Sequence, residues 1–239
     1  MIHSAFVTGA DHGLGFAFAE ELLKSGCTVF AGKYALDTGP LGQLAQRYPD
    51  KLTLVPLDVS SSGSVAAAAA KVSEVTDQLD LLINNAAILG DIHTKVTGPL
   101  DIEEIGKVFN VNALGALRMT QALVPLVLRS KSKLIVNISS EAGSIGSSYR
   151  DSWYAYCMSK AALNMQSVLV HHELKQSGGQ VMIFHPGHVR SYMQGKLDES
   201  GSLTPSESAA HILRWVARHK EFMGEHPVFL NYNGEPMEW

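Results

Sequence analysis

The chain has 239 residues, 46% apolar and 18% charged, which suits one well-buried domain and excludes a disordered chain. Its formal net charge of -4 leaves no basic surplus to meet a nucleic-acid backbone. Two cysteines, Cys27 and Cys157, and scattered histidines supply neither a disulfide framework nor a metal array; with no basic N-terminal region before a long apolar core, the expectation is a cytoplasmic protein with no metal and no membrane partner.

Short runs rich in β-branched and aromatic residues alternate with stretches of helical spacing. Ala5-Phe6-Val7 predicts the first strand, and apolar residues three and four apart predict a helix from Phe16 to Lys24. Thr28-Val29-Phe30 and Leu52-Thr53-Leu54-Val55 predict the next two strands. Ser64 to Val75 predicts a helix, with Ser60 to Ser62 as caps. Leu81-Leu82-Ile83 predicts a fourth strand, and Ile102 to Leu128 one long helix with a kink at Pro125. Leu134-Ile135-Val136, a helix from Ala155 to Leu174, Val181-Met182-Ile183-Phe184 and a helix from Ser206 to Arg218 complete the pattern. Strands apolar on both faces and separated by helices predict an α/β chain with a doubly wound parallel sheet. No linker or internal repeat divides residues 1–239, so a single domain is expected.

Thr8-Gly9-Ala10-Asp11-His12-Gly13-Leu14-Gly15 joins the first strand to the first helix. Gly9 can turn the chain, Gly13 lets backbone approach a pyrophosphate, and Gly15 lets helix and strand pack closely. The helix N-terminus then offers free N–H groups and partial positive charge to an anion. A purely structural turn is the alternative for a glycine triplet on its own. The end of the second strand reads the ribose 2′ position: an acid bonds the hydroxyl of NAD, a base accommodates the phosphate of NADP. Here that end is Gly32-Lys33-Tyr34, and His12 can also face a phosphate, so NADP(H) is favoured over NAD(H). Lys33 as a solvated surface residue is the competing reading. Asp37 is the competing acid, about 20 residues beyond the last glycine as a ribose-binding carboxylate would be, but it stands past the strand end, ahead of Thr38-Gly39-Pro40, where a turn or cap suits it better.

Tyr156 and Lys160 are four residues apart near the start of a predicted helix, hence on one face. A phenol with a pKa of about 10 is a poor acid–base group at neutral pH. A neighbouring ammonium favours its phenolate. Tyr154 has Met158 at the same spacing and is set aside. Ser139-Ser140 closes the fifth strand, and a serine hydroxyl there could hold a substrate oxygen near Tyr156. Cys157 falls on a different helix face, and His171-His172 lacks further ligands for a metal.

These segments resemble the short-chain dehydrogenase/reductase family, whose opening motif is Thr-Gly-x-x-x-Gly-x-Gly, and the resemblance runs nearly end to end. Val111 to Gly115, Gly143-Ser144-Ile145, Ser159 to Met165 and Phe229 to Trp239 resemble its C-factor-like and sniffer-like carbonyl reductase branch. The resemblance implies a three-layer Rossmann fold with a seven-stranded parallel sheet. It implies direct hydride transfer between nicotinamide C4 and a carbonyl carbon, interconverting a carbonyl and a secondary alcohol. The implied catalytic set is Asn112, Ser140 (in preference to Ser139), Tyr156 and Lys160. Tyr156 would be the acid/base, Lys160 would also bond the nicotinamide ribose, and Asn112 would hold a water linking Lys160 to solvent. For Asn112 a satisfied buried amide is the alternative.

Asp58, followed by Val59, is implied against the adenine, or else caps the turn before Ser60. Asn85, Ala86 and Ala87 are implied beside the adenosine ribose, and Pro186, Gly187, Val189 and Ser191 around the nicotinamide. Ala87 and Ser191 stand where the family usually has Gly and Thr. Gly9, Asp11, His12, Gly13, Leu14, Gly15, Lys33, Tyr34, Tyr156 and Lys160 complete the expected cofactor set. Glu141, Tyr149, Trp153, His188, Tyr192 and Met193 are candidate pocket residues, with packing or exposure as the competing role. Substrate choice is expected from segments 88–98, 141–153 and 188–203. Family habit implies a homodimer or homotetramer, with Leu117, Met119, Leu169 and Val170 on outward helix faces. A non-catalytic dinucleotide-sensing protein is the alternative on this fold, and the complete catalytic set argues against it.

Overall fold

The computed structural model describes residues 2–35, 37, 39–193 and 198–239. Seven parallel strands form one sheet: β1 (Ser4–Val7), β2 (Thr28–Lys33), β3 (Leu52–Pro56), β4 (Leu81–Asn84), β5 (Leu134–Ile138), β6 (Gln180–His185) and β7 (Val228–Asn231). Their order is β3-β2-β1-β4-β5-β6-β7. The order therefore reverses between β1 and β4, and in open α/β sheets ligands bind beyond the carboxyl ends of the strands at such a point.

Alternation along each strand explains the two core layers. Ala5, Val7, Leu81 and Ile83 face one side, with α1 (Gly13–Lys24), α2 (Gly39–Arg47) and α7 (Pro205–Ala217) supplying Phe18, Leu41, Leu44, Ile212 and Val216. Phe6, Leu82, Ile135 and Ile183 face the other, against α3 (Ser62–Ser73), α5 (Ala116–Arg129) and α6 (Tyr154–Leu174), which supply Val65, Val72, Met119, Leu123 and Leu174. Burying each such large side chain contributes ~1.5–3 kcal/mol, so both strand faces must be apolar.

All six predicted apolar runs fall within strands. Two elements lack a legible period. β7 is a four-residue edge strand, and α2 buries only Leu41 and Leu44. The expected long helix is interrupted. α4 (Ile102–Phe109) and α5 are joined by a π-helical turn, Asn110–Gly115, and Pro125 lies inside α5. The departure from α geometry thus falls at Asn112. Met119 corrects an expectation: it is fully buried against the sheet, whereas Leu117 and Leu169 are exposed and Val170 is half-buried. Ile102–Arg129 has the length and hydropathy of a membrane span by composition, and half of its most apolar window is buried within the fold.

Candidate active site

The glycine loop is built by close approach. Gly9 adopts φ +64°, and a Cβ there would stand 2.9 Å from the Ala86 Cα. A Cβ on Gly15 would lie 2.0 Å from the Gly9 carbonyl oxygen, an overlap no side chain can relieve. Thr8 Oγ1 accepts from the N–H groups of Asn85 and Ala86 at 2.9 and 3.0 Å, while Asn85 Nδ2 donates to the carbonyls of Thr8 and Gly9. The ends of β1 and β4 are thereby locked together. His12 precedes α1 in an extended conformation without a side-chain cap, so no side chain covers the first-turn N–H groups of α1.

Beyond the end of β2, Asp11 accepts from the N–H groups of Tyr34 and Ala35, both at 2.9 Å. Lys33 Nζ donates to the Ala35 carbonyl. Asp58 Oδ1 accepts from Ser60 N–H and Oγ–H at 2.9 and 2.6 Å, closing the turn before α3 while still lining the cleft. Asp37 accepts from Gly39 N–H at the start of α2, the turn role expected of it.

A continuous cleft of about 860 Å³ runs from this loop across the strand ends to Tyr156. Every expected cofactor residue lines it except Lys33, and every candidate pocket residue lines it. Asn112 lies behind the wall. Its Oδ1 accepts from Ile88 N–H at 2.8 Å, and its Nδ2 donates to the Ile88 carbonyl at 2.8 Å and Ser159 Oγ at 3.0 Å. The Asn112 side chain is thus spent on holding the segment after β4 against α6.

Ser140 follows β5 and caps a short 3-10 turn, Glu141–Gly143, its Oγ accepting from Ala142 N–H at 3.1 Å. Ser139 turns the other way and donates to Asn164 Oδ1 at 2.6 Å, which leaves the Ser140 hydroxyl on the side of Tyr156. Burial pushes the Tyr156 phenol up to about 12, with the Ser140 hydroxyl opposing. Lys160 donates to the Ile138 carbonyl at 2.8 Å, and its Nζ lies 5.5 Å from the Tyr156 ring centroid. Burial pulls Lys160 down to about 7.

That shift gives a stability prediction. Between the ordinary lysine pKa and about 7 the unfolded chain binds a proton that the folded chain refuses, so this group's contribution falls as pH drops through that window and is constant below it. Lys160→Met should raise the Tm of the ligand-free protein at neutral pH by a few degrees, despite losing the Ile138 bond. An unchanged or lowered Tm in differential scanning calorimetry would show that Lys160 is not held at a cost.

On the far side, Arg150 reaches Glu141 through two bonds of 2.7 and 2.6 Å. Its guanidinium also lies over the rings of Tyr149 and Trp153, at 4.6 and 4.7 Å. Trp153 caps α6 with φ 66° and ψ 29°, the left-handed region, which costs a bulky residue ~1–2 kcal/mol. The Trp153 ring meets that of Tyr156 edge-on at 6.1 Å. Glu141 N–H donates to His185 Nδ1 at 3.2 Å, and burial lowers the His185 pKa. Sequence reading missed Arg150 and His185: Arg150 sits in an aperiodic loop, and its partner is chosen by how that loop folds. His12 and Tyr192 meet edge-on at 5.5 Å, and His188 pairs with Asp198 at 3.6 Å. Cys157 packs against Leu89, Ala142 and Tyr156. His171 is a core residue, bonded to Gly224 and Val181 backbone.

Residues 3–201 match the short chain dehydrogenase family. An uncharacterized oxidoreductase of Schizosaccharomyces pombe is 32% identical over 244 aligned positions, covering 96% of this chain and 95% of that one. The chain belongs to the short-chain dehydrogenase/reductase family. Among solved structures, the NADPH-bound carbonyl reductase from chicken fatty liver is 32% identical, with a TM-score of 0.87 over 100% of this chain and 99% of that one. Carbonyl reductase Sniffer of Drosophila melanogaster shares the fold at a TM-score of 0.89 over 100% of both chains, with 24% identity. As a short-chain dehydrogenase/reductase the chain is an oxidoreductase, and its relatives include carbonyl reductases.

Proposed function

We propose that this short-chain dehydrogenase/reductase interconverts a carbonyl compound and a secondary alcohol with NADP(H). The observation that carries the reading is that Ser140, Tyr156 and Lys160 line the same cleft as the glycine loop, with the Lys160 ammonium 5.5 Å from the Tyr156 ring centroid. The cleft fits a dinucleotide: Gly13, Leu14 and Gly15 bring uncapped N–H groups to its floor, and Gly13 leaves open space above its Cα. NADP(H) is favoured because β2 ends in Lys33 and carries no acid, and because the chicken relative binds NADPH.

Bound there, the nicotinamide would supply or accept the hydride. Ser140 Oγ holds the carbonyl oxygen, and the Tyr156 hydroxyl delivers a proton to that oxygen in reduction and takes it back in oxidation. Lys160 is placed to bond the ribose. Asn112 acts on positioning, through Ile88 and Ser159. Because burial keeps the phenol protonated, reduction should stay flat through neutral pH and fall only in alkali. Oxidation, which needs the phenolate, should rise about tenfold per pH unit. Initial rates in both directions across pH check this, and a flat oxidation profile contradicts it.

The testing experiment is a panel of carbonyl compounds assayed in parallel with NADPH and NADH. Turnover with neither cofactor would defeat the reading. The reading includes a cytoplasmic location, supported by cysteine usage alone, and a homo-oligomer. Leu114, Leu117, Met158, Met165 and Leu169 are exposed on adjacent helical segments, which Gln166 Nε2 ties at the Ala113 carbonyl. Leu169→Glu should shift sedimentation toward monomer, and an unchanged profile would place the interface elsewhere.

A further inference from the structure

Glu141 and Arg150 sit between the catalytic turn and the start of α6, and both line the cleft. Their side chains are 35% and 12% exposed, so the ion pair is largely shielded. A lone charge of either sign would be felt strongly there. Arg150 does two things at once: it chelates Glu141 in a fork and stacks on Trp153. A planar guanidinium can do both, and an ammonium cannot. The stack braces Trp153 in its left-handed conformation. Trp153 in turn fixes the entry into α6, its carbonyl accepting from Cys157 N–H at 2.9 Å, and its ring abuts Tyr156. Glu141 is anchored independently by its neighbour Ser140 in the chain and by His185 at the end of β6.

We propose that Glu141 and Arg150 are a charge-compensated positioning pair for the Tyr156 phenol, holding it through Trp153 and opposing each other at its hydroxyl. The inference rests on Tyr156 being the proton donor. The groups facing Tyr156 are Lys160 and Cys157 on its own helix, Ser140 and Glu141 on the 3-10 turn, and Arg150 on the loop; His185 on β6 lines the same cleft. A carboxylate left alone opposes the phenolate, and a guanidinium left alone favours it; in the native pair the two act in opposition.

The test uses the full chain with Glu141→Gln, Arg150→Met, Arg150→Lys and the double variant Glu141→Gln/Arg150→Met. In NADPH-dependent reduction, Glu141→Gln should move the alkaline limb of kcat down by about one pH unit, and Arg150→Met should move it up. The double variant should fall between the two single variants. Arg150→Lys should keep the wild-type limb yet lose about tenfold in kcat, because the charge survives and the brace on Trp153 does not. Shifts of the two single variants in the same direction, or none, would overturn the proposal. So would an effect confined to KM. If Arg150→Met does not fold, the isosteric Glu141→Gln still decides: an unmoved or raised limb refutes it. Tyrosine labelled with 13C at Cζ, with Tyr156 assigned through Tyr156→Phe, reads the same ionisation by NMR without turnover. A chain that reduces no carbonyl but shows the opposed NMR shifts would refute the proposed function and retain the charge pair.

Discussion

Tyr156→Phe is expected to reduce carbonyl turnover by ~10²–10⁴-fold, the range associated with losing a positioned acid. The ring remains packed against Leu89, Ala142 and Trp153, so the fold should be retained. The hydroxyl lines the same cleft as Ser140 and Lys160, where a substrate oxygen would meet it. Dinucleotide binding should survive, because the glycine loop and the β1–β4 cross-ties stand apart from the phenol. Stopped-flow or steady-state rates with NADPH, alongside a fluorescence titration of the cofactor, separate the two effects. Turnover near wild type would remove Tyr156 from the mechanism.

Gly15→Ala should abolish dinucleotide binding and cost ~1–3 kcal/mol of stability, as overpacking does. The new Cβ would meet the Gly9 carbonyl oxygen at 2.0 Å and Asn85 Nδ2 at 2.6 Å. Backbone must therefore move, and the bond from Asn85 to Gly9 that joins β1 to β4 must stretch or break. The α1 N-terminus would shift away from the anion it is meant to face. Urea unfolding and cofactor titration measure the two consequences together. An alanine variant that binds NADPH normally would show that close helix–strand approach is not what Gly15 supplies.

Much of this was legible in the chain because the relevant signals are local. Six runs apolar on both faces encode parallel strands, since each residue must bury whichever way it points. Gly9, Gly13 and Gly15 announce themselves because a tight βα connection tolerates few other residues. Tyr156 and Lys160 share a helix face by their spacing alone. The choice of Ser140 over Ser139 came through family resemblance, and the structure supplies its physical counterpart in the bond from Ser139 to Asn164.

Other features were decided only by long-range packing. Met119 is different: it stands in the same helical stripe as Leu123, Leu126 and Val127, and that spacing, carried by the chain itself, already turns it into the core. Asn112 proved to be a brace for Ile88, a partner supplied by the loop after β4. Lys33 stands at the predicted strand end, but its ammonium is drawn to the Ala35 carbonyl, and Asp11 holds the neighbouring N–H groups.

By itself, the sequence determined the alternation of strands and helices, the glycine-rich βα loop and the phenol–ammonium pair, because each depends on residues within a few positions of one another. The tertiary structure alone decided the partnership of Glu141 with Arg150, the left-handed Trp153 between Arg150 and Tyr156, and the burial that moves Tyr156 and Lys160 in opposite directions. Those depend on which loops meet above the strand ends and on how much water they exclude, and no periodicity records either quantity.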